Sequence, residues 1–255
     1  MKPPEIQRVI ALGASNLTRG FASFLAVTTA AWGPELEVFA ALGHGRSYGS
    51  GNRVLLRVLP GILQSGIWKA LECQPARPAR ALVTDIGNDL LYGFSPQQTL
   101  DWVGEALRRL GAHTDDIVLT DLPMASIRSL TPLRYLIFRS ILVPACRLSL
   151  EQVQARAETL SQALARLAQA EGLRFERPEA DWFGPDPVHI RGARYPEAWR
   201  AFLSIDPGLR PAPLPYAERI RLALLPPESR RLCGLPQFHP QTGVTVCPGS
   251  RLWLY

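Results

Sequence analysis

Four short apolar runs, separated by helical patterns and glycine-rich turns, constrain this chain most tightly. They are Val9–Leu12, Leu36–Leu42, Ala81–Ile86 and Ile117–Thr120. Their aliphatic and β-branched content predicts strands, and Leu173–Glu176 reads as a short fifth. Between the first two, Phe21, Phe24, Leu25 and Trp32 recur at helical spacing from about Thr18 and stop at Gly33-Pro34. Arg53–Leu71 is apolar but interrupted by Pro60-Gly61 and Gly66, and reads as two helical pieces. Ser95 with Pro96 predicts a helix start, continued by Leu100, Val103, Leu107 and Leu110. Ser149 and Gln152 form a capping-box pattern for a long helix with Val153, Ala157, Leu160, Leu164 and Leu167 inward, ending near Gly172. Parallel neighbours need helical crossovers, so the expected fold class is doubly wound α/β, a parallel sheet with helices on both faces. From residue 206 the pattern fails. Pro207, Pro211, Pro213, Pro215, Pro226 and Pro227 predict a Pro-rich C-terminal extension, residues 206–255, wrapped over a domain of residues 1–205.

Charge narrows the partners. Lys plus Arg number 28 against 22 Asp plus Glu, a net of +6, with arginine supplying nearly all of it because only Lys2 and Lys69 are lysines. These arginines read as scattered along the chain, without the basic stripe and interleaved aromatics of a nucleic-acid binder, so no nucleic acid is expected. The opening MKPPEIQRVI leads into the first strand without a secretory pattern, and the expected location is cytoplasmic. Cys73, Cys146, Cys233 and Cys247 form no C-x-x-C pair and read as isolated core residues. Cys233, His239 and Cys247 are too irregularly spaced for a metal site, and neither metal nor cofactor is expected.

In an open α/β sheet, ligands bind beyond the carboxyl ends of the strands. Ser15 follows the first predicted strand, Gly45 the second and Asn88 the third, while Asp186 and His189 follow the fifth. All are expected on one rim. Together they supply what acyl transfer requires: a nucleophile (Ser15), a base (His189), an acid to orient it (Asp186) and oxyanion donors in the backbone N–H groups of Ser15 and Gly45 and the amide of Asn88. Singly, each has a plainer reading. Ser15 or Asn16 can cap a helix, His189 can be a surface histidine, and Asn88 can form a turn. Asp85 and Asp89 read as loop-holding carboxylates, and Arg46 as a loop-bracing arginine.

Four stretches, GASN (Gly13–Asn16), GHGRS (Gly43–Ser47), GND (Gly87–Asp89) and DPVH (Asp186–His189), resemble in order the four motif blocks of the SGNH, or GDSL-like, hydrolase superfamily. The resemblance spans about residues 8–203. It implies a flavodoxin-like five-stranded parallel sheet and a serine esterase, lipase, thioesterase or deacetylase that needs no metal. By motif, Ser15 matches the nucleophile, Gly45 and Asn88 the oxyanion donors, and Asp186 and His189 the acid and base. The second block registers on Gly43 or Gly45, with Gly45 preferred because GRS follows it. The first block departs from the family's G-D-S, since Ala14 stands where the aspartate is usual. An acyltransferase and a non-catalytic SGNH-fold interaction protein remain alternative readings. Neither G-x-G-x-x-G nor a G-x-x-x-x-G-K-[ST] loop follows the first strand, which argues against a nucleotide binder.

Leu130–Cys146 is the most apolar segment, yet Arg134, Arg139 and Pro144 interrupt it before it reaches spanning length. It reads as a buried helix, as a wall for an acyl chain, or as a membrane or protein contact through Leu130, Tyr135, Leu136, Ile137, Phe138 and Ile141. The expected ligand is a small-molecule or lipid-like ester.

Overall fold

The computed structural model describes residues 6–246 and 249–255. Strands β1 (Arg8–Leu12), β2 (Glu37–Ala41), β3 (Asn52–Val54), β4 (Arg57–Leu59), β5 (Ala79–Val83), β6 (Ile117–Thr120), β7 (Arg174–Glu176), β8 (Ser229–Leu232), β9 (Leu235–Phe238), β10 (Val244–Val246) and β11 (Ser250–Leu254) form two sheets. Helices α1 (Ser15–Arg19), α2 (Phe21–Trp32), α3 (Ile67–Glu72), α4 (Asn88–Leu91), α5 (Pro96–Gly111), α6 (Met124–Arg128), α7 (Pro132–Leu142), α8 (Leu150–Ala170), α9 (Tyr195–Phe202) and α10 (Tyr216–Leu224) complete the framework.

The main sheet runs β10-β11-β2-β1-β5-β6-β7, parallel except for the β10–β11 pair. Its β2-β1-β5-β6-β7 core is the doubly wound parallel set that the sequence predicts. The period-two alternation of β1 explains why both faces must be covered. Ile10 and Leu12 pack with α5 and α8 residues such as Val103 and Leu160. Val9 and Ala11 pack on the other face with Phe24 of α2 and Trp199 of α9. Both predicted capping boxes form, at Ser95/Gln98 and Ser149/Gln152.

The structure departs from the sequence reading in four places. First, the predicted helix from Thr18 divides at Gly20 into α1 and α2. A Cβ on Gly20 would lie 2.4 Å from the Tyr195 ring, and Trp199 Nε1 donates to the Gly20 carbonyl at 3.1 Å, so α9 presses on the chain there. Second, Arg53–Leu59 is strand rather than helix. β3 and β4 form a hairpin that turns through Leu55 (φ 55°), and β4 pairs antiparallel with β8, Arg57 opposite Leu232. Third, the extension contributes strands where its proline content predicted none. β11 pairs with β2, placing Leu252 opposite Val38, and together with β10 raises the main sheet from five strands to seven. Fourth, Cys73 and Cys233 are exposed and only Cys146 is buried, while Cys247 lies outside the described residues.

The tail strand is packed as core. Trp253 is buried and stacks on Phe39 of β2, ring centroids 4.5 Å apart. Trp253→Ala is expected to cost about 3–5 kcal/mol, read as a lowered denaturant midpoint, because it removes this stack and leaves a cavity between sheet and helices.

Candidate active site

β1 ends at Leu12, and the chain turns through Gly13-Ala14 into α1, whose first residue is Ser15. Ser15 is 9% exposed, and its Oγ has no hydrogen-bond partner among the described residues. Its backbone N–H and that of Gly45 likewise meet no acceptor there. The turn is held by a carboxylate from the neighbouring strand end. Asp85, just past β5 and in a left-handed conformation (φ 61°), accepts from Ala14 N at 2.8 Å, Leu17 N at 3.0 Å and Asn16 Nδ2 at 2.8 Å. It thus takes up two of the N–H groups that a helix start leaves open.

Asn16 connects this turn to the loop after β7. Its Nδ2 also donates to the Val188 carbonyl at 2.9 Å, and its Oδ1 accepts from Ile190 N at 2.8 Å. One amide therefore grips the backbone on both sides of His189. Its importance was not legible in the sequence, because its partners are backbone groups more than 170 positions away. Within the loop, His189 Nδ1 lies 2.6 Å from Asp186 Oδ2, and Asp186 Oδ1 accepts from the N–H groups of Val188 and His189 at 3.1 and 3.2 Å. Burial opposes ionisation of Asp186, but the bond to His189, its charge and the two backbone donors outweigh it and hold the carboxyl below its ordinary range. Arg19 of α1 adds a contact to Asp186 at 3.6 Å. Asn16 thus joins the turn bearing Ser15 to the loop bearing Asp186 and His189, while Ser15 Oγ and His189 form no hydrogen bond in this structure.

The second and third blocks are locked to each other. Gly45 has φ 63°, and a Cβ on it would lie 2.7 Å from the Tyr92 hydroxyl and 2.8 Å from Val54, so local sterics require glycine there. Its carbonyl accepts from Asn52 Nδ2 at 2.5 Å and Tyr92 OH at 2.7 Å. Asn88 Nδ2 donates weakly to the Arg46 carbonyl at 3.3 Å, which leaves its second N–H available. Arg46 is fully buried and braces the loop, donating to the carbonyls of Leu42, Pro60 and Tyr255. Burial and the nearby Arg57 lower its pKa to about 9. His44 carries the same sign of shift, downward, from burial and from the charges of Arg57, His189 and Arg19.

A largely apolar cavity of about 90 Å³ opens beside Ser15. Ser15, Asn16 and Asn88 border it, and Leu122, Ile127, Leu130, Tyr135, Phe138 and Val153 line its depth, whereas Gly45, Asp186 and His189 lie outside the lining. This corrects part of the surface expected from Leu130–Cys146. Leu130, Tyr135 and Phe138 are buried, and only Leu136, Ile137 and Ile141 of that set are exposed. The helical period of α7 puts Tyr135 and Phe138 on its inner side.

Asp89 offers a test of the loop. It is buried, accepts from Tyr48 N at 3.0 Å, and burial outweighs its hydrogen bonds from Ser47 and Tyr48 to raise its pKa from 3.8 to about 6. A carboxyl whose folded pKa is raised gives stability that is present below the unfolded pKa and lost as pH rises through the folded one. Asp89→Asn should remove that dependence, flattening stability between pH 4 and 6 by on the order of 2 kcal/mol relative to the parent in denaturant titrations at several pH values.

No protein-family model matches the sequence, and no curated protein matches it. Solved structures do. Est24, a carbohydrate acetylesterase from Sinorhizobium meliloti, superposes with a TM-score of 0.52 at 12% identity, over 77% of this chain and 97% of that one. The aryl esterase of M. smegmatis gives the same TM-score, identity and coverage. The psychrotrophic esterase EstA from Pseudoalteromonas sp. gives 0.50 at 12% identity over 78% of this chain and 95% of its own. With the strand order and the turn geometry, these likenesses establish the architecture: the chain has an SGNH hydrolase-like fold.

Proposed function

We propose that this protein is a serine hydrolase that cleaves carboxylic esters or thioesters through an acyl-enzyme. The observation that carries the proposal is the 2.6 Å pairing of Asp186 with His189 on a loop that Asn16 ties, on both sides of His189, to the turn bearing Ser15. Similarity in fold to proteins named as an acetylesterase and an aryl esterase supports it.

In the proposed reaction, Ser15 Oγ attacks the acyl carbon and its proton passes to His189 Nε2. Asp186 holds Nδ1 protonated, which leaves Nε2 as the acceptor and stabilises the imidazolium that forms. Negative charge develops on the former carbonyl oxygen, where the N–H groups of Ser15 and Gly45 and the Asn88 amide donate. Collapse expels the alkoxide or thiolate, which takes the proton from His189. Water then attacks the acyl-enzyme with His189 again as base, releasing the acid and restoring Ser15. The cavity lined by Leu122, Leu130, Phe138 and Val153 would take the apolar end of the acyl group.

Labelling with a fluorophosphonate, compared between the parent protein and Ser15→Ala, tests the nucleophile. The parent should label and the variant should not, with turnover of an aryl ester lower by on the order of 10⁴-fold. Equal labelling of the two, or none of the folded parent, rejects Ser15.

The cavity is tested separately by acyl length. Val153→Phe fills space beside Phe138, and kcat/KM for an octanoyl ester should fall by about tenfold relative to that for an acetyl ester. An unchanged ratio places the acyl group elsewhere.

A further inference from the structure

Helix α7 is apolar on both sides. Tyr135 and Phe138 pack inward with Leu130, Leu150 and Val153. On the outward side, Leu133 is 67% and Ile141 72% exposed, and Leu136 and Ile137 are each more than half exposed. The helical period sets these four residues on one face, with Ser140 among them. An aliphatic stripe of this size in open solvent needs a partner.

The charges around it indicate which one. Arg134 and Arg139 stand on opposite edges of the stripe, and exposed Arg147 follows just beyond the helix. Arg139 lies over the Tyr135 ring at 5.9 Å, and no carboxylate pairs with Arg139 or Arg147 among the described residues. No Asp or Glu occurs between Asp121 and Glu151. An apolar stripe edged by arginines and free of acidic residues matches a helix lying in the plane of a bilayer, its aliphatic side chains among acyl chains and the guanidinium groups of Arg139 and Arg147 at headgroup level. At 11 residues α7 is too short to span, and no described helix is long and apolar enough to cross a membrane.

We infer that the outer face of α7 docks this protein on an anionic lipid surface. The choice of lipid over another partner rests on the proposed acyl cavity, because the same helix walls that cavity from within. Tyr135 and Phe138 of α7 line the cavity that Ser15 borders. Arg134 also donates to the carbonyls of Gly184 and Pro185 at 3.1 and 2.9 Å, immediately ahead of Asp186, so the docking helix is fastened to the loop carrying His189.

The test is cosedimentation of the full chain with large unilamellar vesicles of phosphatidylcholine alone or mixed with phosphatidylglycerol, at low and high salt. Binding should require phosphatidylglycerol and weaken with salt. Joint Ile137→Glu and Ile141→Glu substitution should reduce it at least about tenfold, while the thermal midpoint and turnover of a water-soluble short-chain ester match the parent. Equal binding by parent and variant, equal binding to phosphatidylcholine alone, or no binding of the parent to either vesicle overturns the inference. So does a shift from dimer to monomer in the variant without vesicle binding, which assigns the face to a second copy of the chain. Vesicle binding needs no hydrolysis, so a parent that binds as described but turns over no ester leaves the docking inference standing and rejects the proposed reaction.

Discussion

Where β5 ends, Asp85 adopts a left-handed backbone that side chains other than glycine seldom take, and the candidate site is assembled around the carboxylate this presents. It receives Ala14 N, Leu17 N and the Asn16 amide. Three hydrogen bonds converging on one carboxyl group fix the geometry of the turn. Asn16, held in this way, has its remaining capacity directed at Val188 and Ile190. The position of His189 relative to Ser15 is therefore set by a relay from strand to turn to loop rather than by direct contact between the two residues.

That relay gives a physical reading of Ala14. Ala14 is fully buried, and its N–H already meets a carboxylate from across the sheet. A carboxylate at position 14 would put a second acid beside Asp85 in space that the fully buried Ala14 side chain now fills. Alanine at this point and aspartate at position 85 form a consistent pair.

The parallel core was legible because four of its strands, β1, β2, β5 and β6, are largely apolar and the two longest helices announce their own starts, as Ser95 and Ser149 do with their reciprocal bonds to Gln98 and Gln152. The Asp186–His189 pair was legible for the same reason, since the partners lie only three positions apart. Where the reading failed, the deciding partner was remote. Arg53–Leu59 is apolar enough for helix, and it becomes a hairpin extended by β8, a strand of the distant tail. β11 gains its place from β2, with Leu252 opposite Val38, and nothing local to a proline-rich tail signals that pairing. Gly20 breaks a helix because of Tyr195 and Trp199, whose approach only the folded chain brings about.

Arg46 ties the end of that tail to the site. Its buried guanidinium donates to backbone oxygens of Leu42, Pro60 and Tyr255, while its Nη2 has no hydrogen-bond partner among the described residues. A buried cation left short of acceptors is costly, and Arg46 adjoins the glycine whose N–H is the proposed oxyanion donor. Proteolytic loss of the last few residues would strip one of those acceptors and uncover the edge of β2. The loop around Gly45 would then lose a brace that the tail supplies, although Ser15, Asp186 and His189 stayed in the chain.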